Sequence, residues 1–260
     1  MTTLAIHSVL MTKRSVTGLL RQPAFVLITL VQPAIWLLLF GALFETAVQI
    51  PGFGSGGRSY LEFLTPGVVM MTALFSSGWS GMAFIEDIDR GVMDRFLVLP
   101  LHRSAIINAS VIMQSIMTTV QSVIIVALGW AAGAHYPGGL AGVLVLIAGS
   151  VLIAIVFSAF SNTVGMLARQ RETIIGINTF LLLPLTFLSS AFMVTALMPH
   201  WMRIVADGNP VNWALEAGRA AMNTGADWTR VLAWGCGLTL LAIAVTALSV
   251  LTFRAYQRSV

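Results

Sequence analysis

Gly78-Trp79-Ser80-Gly81 is a G-x-S-G run in which a serine could act as a nucleophile, as in six-span intramembrane proteases. Such chemistry needs a histidine base about 3 Å from the hydroxyl, held on a neighbouring element. The four histidines are His7, His102, His135 and His200. All four fall outside the long apolar runs, and the last run carries only apolar and small residues. In membrane helices glycine and serine ordinarily serve close packing, and that is the expectation for this run.

Other reactive chemistry is sparse. The single cysteine, Cys236, has no second thiol for a disulfide or a chelate and is expected to be a small packing residue. No histidine or cysteine cluster has metal-ligand spacing, so no metal site is expected. A phosphate-binding loop requires G-x-x-x-x-G-K-[ST]. The only lysine, Lys13 in MTKRS, has no glycine before it. If ATP drives the work of this chain, ATP and magnesium must be bound by another polypeptide, and no cofactor is expected here.

These absences match the composition. Of 260 residues, 57% are hydrophobic and 9% charged, with mean hydropathy +0.89. Soluble domains carry about a quarter charged residues, so this is an integral membrane protein. The net charge of +4 does not indicate nucleic acid, because the arginines are scattered between apolar runs.

A helix needs about 20 apolar residues to cross the hydrocarbon core. Six stretches qualify, at about 24–44, 66–85, 105–131, 140–167, 174–197 and 231–253, giving one all-α membrane domain over 1–260. The first run is too long for a cleaved signal and lacks a cleavage site after it. With both termini cytoplasmic, ten lysines and arginines fall inside: Lys13, Arg14, Arg21, Arg90, Arg95, Arg103, Arg169, Arg171, Arg254 and Arg258. Only Arg58, Arg203, Arg219 and Arg230 fall outside, which favours that orientation. Residues 1–22 place Ile6, Val9, Val16 and Leu20 on one side and suit an interfacial helix. The last outside loop is long enough for two short helices. Asn209-Pro210 opens the second and Gly225 could end it, and Trp201, Trp213 and Trp228 fit an aromatic belt.

No ionisable residue lies within the six apolar cores, which disfavours a proton- or cation-driven transporter. Asn108, Gln114, Gln121, Asn162 and Asn178 are expected mainly to hydrogen-bond between helices. Charge is concentrated instead in EDIDRGVMDRFLVLPLHR, residues 86–103, with seven acidic or basic residues. Helical continuation of the second span would stack Glu86, Arg90 and Asp94 with alternating sign. Gly91 is a natural bend. Val92, Met93, Phe96 and Leu97 then offer an apolar surface before Pro100 disfavours further helix. That short helix either rests in the lipid interface or docks into a soluble partner.

Glu86, Arg90, Gly91, Arg95, Pro100 and Arg103 form E-x-x-x-R-G-x-x-x-R-x-x-x-x-P-x-x-R, which resembles the cytoplasmic signature of type-2 ABC exporter permeases. The stretches LLRQPAFVLITLVQPAIWLLLFGALF, YLEFLTPGVVMM and NPVNWALEAGRAAM agree in style with the daunorubicin-resistance type, and the likeness covers nearly the whole chain. Val92-Met93 stands where Ile-Leu or Thr-Leu would also be usual. The resemblance implies that Gly91–Leu99, including Asp94, Arg95 and Phe96, is a coupling helix seated in a cognate ATPase, with Glu86 and Arg90 at its junction with span two. It implies two ATPases and a second permease chain, identical or homologous. It also implies export of a hydrophobic or amphipathic drug, natural product or lipid from a bacterial plasma membrane. Phe75, Trp79, Asn178 and Phe187 are candidates for lining a path between spans two and five. A non-transporting scaffold subunit, whose charged loop recruits a partner, is the alternative.

Overall fold

The computed structural model describes residues 10, 12, 17, 23–49, 59–91, 104–223 and 225–256. Apart from two 3-10 turns, Glu45–Gln49 and Thr195–Leu197, its regular elements are α-helices. In chain order these are α1 (Pro23–Leu43), α2 (Tyr60–Gly78), α3 (Ser80–Asp89), α4 (Ser104–Ala131) and α5 (Gly139–Ala168). Then follow α6 (Arg171–Phe187), α7 (His200–Asp207), α8 (Pro210–Met222) and α9 (Trp228–Tyr256). Among the described residues, four helical segments are long and apolar enough to cross a membrane: Tyr60–Asp87, Ala105–Ala131, Gly139–Ala168 and Trp228–Phe253. Ile28–Leu43 is a shorter apolar helix.

The bundle is organised around α5, which packs against α2, α3, α4, α6, α8 and α9. A seam of small residues makes this possible, because backbones can approach where no Cβ intervenes. A Cβ on Gly138 would lie 2.2 Å from the Ala221 carbonyl oxygen, and one on Gly142 would lie 2.7 Å from the same atom. At the far end of α5, a Cβ on Gly165 would lie 2.8 Å from the Gly81 oxygen. Leu64, Met70, Leu74, Ile125, Leu146, Ile153 and Leu215 fill the core between these contacts.

Two expected spans differ from the structure. The second is broken at Trp79 into α2 and α3. The fifth, expected to reach Leu197, ends at Phe187 after 17 residues, about 26 Å at 1.5 Å per residue. Pro184 lies inside its last turn. Beyond it, hydroxyls and amides capture the backbone: Ser189 Oγ donates to the Thr186 carbonyl at 2.6 Å, and the Ser190 N–H donates to Asn212 Oδ1 at 3.0 Å. Hydropathy alone reads this stretch as more span, whereas side-chain hydrogen bonds compete with the helical ladder there.

The two short helices expected before the last span are present as α7 and α8, but α8 is not a surface feature. Val211, Ala214, Leu215, Gly218 and Ala221 are buried, and the helix lies along the first turns of α5. Asn209 fixes where it starts. Its Oδ1 accepts the Val211 N–H at 2.9 Å, the usual N-cap role, with Pro210 at the first helical position. Its Nδ2 donates to the carbonyls of Leu185 at 2.7 Å and Leu188 at 3.1 Å, at the end of α6. One side chain thus closes two helix ends at once. The helix ends at Met222, ahead of Gly225, whose φ of +80° suits a glycine.

Candidate functional site: a broken span and the cavity beside it

The break in span two leaves backbone groups without helical partners, which is costly in a buried setting. Neighbouring helices satisfy them. The Gly78 carbonyl accepts from Ser161 Oγ and from Asn178 Nδ2, the latter at 2.7 Å. The Gly81 N–H donates to Ser161 Oγ at 2.9 Å. Gly81 is glycine because α5 passes so closely that a Cβ would lie 2.2 Å from the Ser161 carbonyl oxygen. The G-x-S-G run is therefore a packed and satisfied kink.

Ser80 itself is held in a closed ring. Its Oγ donates to Asn162 Oδ1 at 3.0 Å, Asn162 Nδ2 donates to Ser110 Oγ at 3.1 Å, and the two serine oxygens lie 3.1 Å apart. The serine proton is thus taken by an amide oxygen, which is no base. Of the two described histidines, His135 bonds near Glu62 and Gly133, while His200 opens α7. Among the described residues, no group of three or more His, Cys, Asp or Glu could hold a metal.

Beside the kink, α1, α2, α3 and α4 line a half-open cavity of about 630 Å³. Phe75 and Trp79 line it together with Gln32, Met71, Met113, Gln114, Met117 and Gln121. Its volume falls in the range of small-molecule sites, and no lining residue is charged. Of the four path candidates, the structure thus brings Phe75 and Trp79 to one cavity. Asn178 is placed elsewhere, buried and bonded to the Gly78 carbonyl. Phe187 joins an aromatic cluster beyond the end of α6, stacked on Phe192 at 5.5 Å; Phe192 in turn meets Trp36 and Phe40.

Gln114, Gln121, Met113 and Met117 escaped the sequence reading as a lining set. Their spacing held the signal, since residues 113, 114, 117 and 121 repeat at 1, 4 and 8 and so share one helix face. The expected bonding between helices is observed for Gln114, Gln121, Asn162 and Asn178. Gln114 Nε2 donates to Ser76 Oγ at 2.9 Å and Gln121 Nε2 to Thr29 Oγ1 at 3.3 Å, both between helices. Cys236, expected to pack inside, is exposed, since it lies on the outer side of α9.

At the charged-loop end, Glu86 and Arg90 pair at 3.5 Å, one helical turn apart. Gly91 follows with φ +63°, a left-handed turn that favours glycine. Arg171 at the start of α6 donates to Asp89 at 2.8 Å, tying the end of α3 to α6. Asp94, Arg95, Phe96, Pro100 and Arg103 lie outside the described residues, as does nearly all of the 1–22 segment.

At the opposite end a second cavity of about 270 Å³ is lined by Glu62, His135, Tyr136, Glu216, Arg219 and Arg230, among others. Arg219 is committed to its walls. It donates to Ser190 Oγ at 2.9 Å and the Phe63 carbonyl at 3.2 Å, and its guanidinium lies 3.9 Å from the Phe63 ring centre. Burial pushes this guanidinium down to about 10, against the opposing pull of Glu216 and Tyr60. Burial also raises the Tyr136 hydroxyl, with a bond from Thr65 opposing it. Ionisable groups are thus sorted to the two ends of the bundle, with the uncharged cavity between them.

Among the described residues the chain is a bundle of helices with charged groups towards its ends and an uncharged cavity between them. Residues 8–223 match the ABC-2 type transporter family. The chain is 32% identical over 231 residues to a daunorubicin resistance ABC transporter permease protein of Streptomyces coeruleorubidus, covering 86% of this chain and 77% of that one. It is 31% identical over 206 residues to a putative transport permease of Cyanophora paradoxa, 78% and 70% of the two chains. A probable doxorubicin resistance ABC transporter permease protein of Mycobacterium tuberculosis is 21% identical over 245 residues, 93% and 87% of the two chains. The chain belongs to the ABC-2 type transporter family. It is the membrane permease of an ABC exporter and not an enzyme, with the ATPase on a separate chain.

Proposed function

We propose that this chain exports a hydrophobic or amphipathic solute, of the drug, natural-product or lipid type, out of a bacterial cell. The observation that carries the reading is the uncharged 630 Å³ cavity beside a span broken at Trp79, whose lower half, α3, leads into the charged loop. The relatives named for daunorubicin and doxorubicin resistance support a drug-like cargo. In this reading the chain spans the plasma membrane six times with both termini cytoplasmic, and α8 re-enters from outside. Non-helical backbone at membrane depth is tolerated when it is buried in protein, as it is around Asn209 and Trp79.

Two such permeases, identical or homologous, work with two ATPase subunits that bind ATP and magnesium. The segment Gly91–Leu99, with Asp94, Arg95 and Phe96 before Pro100 and Arg103, sits in a groove of each ATPase. When the ATPases close, that segment moves with them and carries α3 along. The kink at Gly78–Gly81 allows α3 to turn while α2 stays packed, and the Asp89–Arg171 pair passes the motion to α6. A ligand-driven change of this kind requires contacts that differ between states. The cavity beside the kink is the element whose contacts would change.

The reading is tested by co-purifying the chain with its ATPase and measuring ATP-dependent solute flux in vesicles. Arg95→Glu is expected to abolish both the complex and the flux. Unchanged assembly and transport in that variant would remove the docking segment from the mechanism.

A further inference from the structure

The half-open cavity has a floor and a mouth. Of its lining residues, Pro33, Met71, Thr72, Met117 and Gln121 are buried, whereas Gln32 and Trp79 are exposed. Gln32 and Trp79 therefore stand at the opening. Neither side chain has a hydrogen-bond partner among the described residues, so a carboxamide and an indole N–H meet whatever enters.

The setting of Gln32 is at odds with its chemistry. It lies within α1 (Pro23–Leu43), about 14 Å from one end and about 17 Å from the other at 1.5 Å per residue. Ile28, Ile35 and Leu39 share its helix face and are 69%, 54% and 56% exposed. That face suits lipid, with one amide in its middle. A carboxamide left unpaired in hydrocarbon is costly, and polar side chains in membrane helices ordinarily bond between helices. Gln121 follows that rule on the opposite wall, buried and bonded to Thr29. Gln32 instead holds its amide at the opening, where a polar group arriving from the bilayer would pair with it.

The walls behind it restrict what can enter. Met71, Met82, Met113, Met117 and Phe75 offer an apolar and adaptable surface. With no charged residue in the lining, nothing compensates the desolvation of an ion.

Resting on the transport reading above, we propose that the solute reaches this cavity sideways from the hydrocarbon layer, past Gln32 and Trp79, and that the Gln32 carboxamide binds an uncharged amide or hydroxyl group on it. The solute is thus a neutral amphipath with its apolar body against the methionines. A plain hydrocarbon would fit the walls but leave the amide unpaired.

The test uses 4-bromobenzamide and 1-bromo-4-ethylbenzene, which share a brominated ring and differ in the amide. The purified chain is reconstituted one per disc in phosphatidylcholine nanodiscs, so that the probes reach it from lipid. Concentrations are expressed per lipid, from partitioning into empty discs. Bromine quenches tryptophan only near contact, and the Trp79 signal is the difference between wild type and Trp79→Phe. The amide probe is expected to half-saturate this quenching at about one tenth the lipid-phase concentration of the ethyl probe, the gain of pairing one hydrogen-bonding group. Gln32→Leu, at an exposed helical position, should raise the amide probe to the concentration of the ethyl probe.

Saturable quenching with no amide preference in the wild type overturns the role of Gln32 while leaving the cavity as a solute site. A preference that survives in Gln32→Leu places the polar contact on another residue and overturns the assignment. Quenching that grows without saturating overturns the cavity as a solute site, and this inference with it, whereas ATP-dependent flux decides the transport reading separately. Saturation that disappears in discs holding two chains puts a second copy over the mouth and overturns the sideways route. If Gln32→Leu does not yield a monodisperse protein, Gln32→Met and the wild-type comparison carry the same decision.

Discussion

Replacing Gly81 by alanine perturbs the kink at its tightest point. The new Cβ would lie 2.2 Å from the Ser161 carbonyl oxygen and 2.8 Å from its carbon. Both are backbone atoms, so no rotamer change relieves the clash. Restoring ordinary contact requires α3 and α5 to part by roughly 1 Å. The Gly81 N–H to Ser161 Oγ bond, now 2.9 Å, would then stretch beyond hydrogen-bonding range. Overpacking costs about 1–3 kcal/mol, and an orphaned buried donor costs about 1–3 kcal/mol. The expected loss is therefore about 2–6 kcal/mol, large beside the whole stability of a typical domain. Gly176→Ala is the control, because a Cβ there meets nothing within 4 Å, and alanine is the better helix former by about 1 kcal/mol. Thermal unfolding of the detergent-solubilised chain, followed by size-exclusion chromatography, measures both. Gly81→Ala should lower the midpoint by many degrees and reduce transport, and Gly176→Ala should do neither. Equal stability of Gly81→Ala and wild type would refute the close approach of α3 to α5, and with it the satisfied kink.

Asn209→Ala removes the cap of α8 and both bonds to the end of α6; a loss of about 2–4 kcal/mol is expected, read as a lower unfolding midpoint, with Asn209→Asp recovering only the cap. Ser80→Ala should retain transport, since the hydroxyl serves a hydrogen-bonded ring, and serine-reactive probes should label the wild type no more than the variant. For Arg219, burial lowers the guanidinium from its ordinary value to about 10, so the charged form is penalised in the folded state. That penalty is constant below the folded value and is relieved only as pH rises above about 10. The midpoint difference between wild type and Arg219→Met should therefore be flat from about pH 6 to about pH 9 in a calorimetric series. Arg219→Lys, which keeps the charge but loses the forked contact with Ser190 and the Phe63 carbonyl, should unfold several degrees earlier.

Much of this was legible in the chain itself. The starts and ends of α1, α4, α5 and α9 fall within a few residues of the apolar runs, because each is a long uninterrupted helix whose signal is composition. The Asn209-Pro210 start of α8 was equally plain, since an N-cap followed by proline is a local signature. The end of α6 was not, because Leu188–Leu197 reads as apolar while Ser189, Ser190 and Asn212 redirect its backbone through contacts 22 residues apart. Of the site, Phe75 and Trp79 were picked out as lining residues. Gln114 and Gln121 were read only as interhelical bonders, because a place on a cavity wall is a property of surroundings and not of residue type.

Composition and hydropathy by themselves pointed to a helical membrane protein, and no phosphate-binding loop occurs within these 260 residues, since solvation and short motifs depend on residue type and spacing. The lack of a histidine in the apolar runs already made Gly78–Gly81 a packing run, but tertiary structure alone decided that it is a kink. Nothing in four residues tells straight helix packing from a break. That distinction required Ser161 and Asn178, some 80 and 100 residues away, to take up the freed backbone groups, and only folding brings such partners within 3 Å.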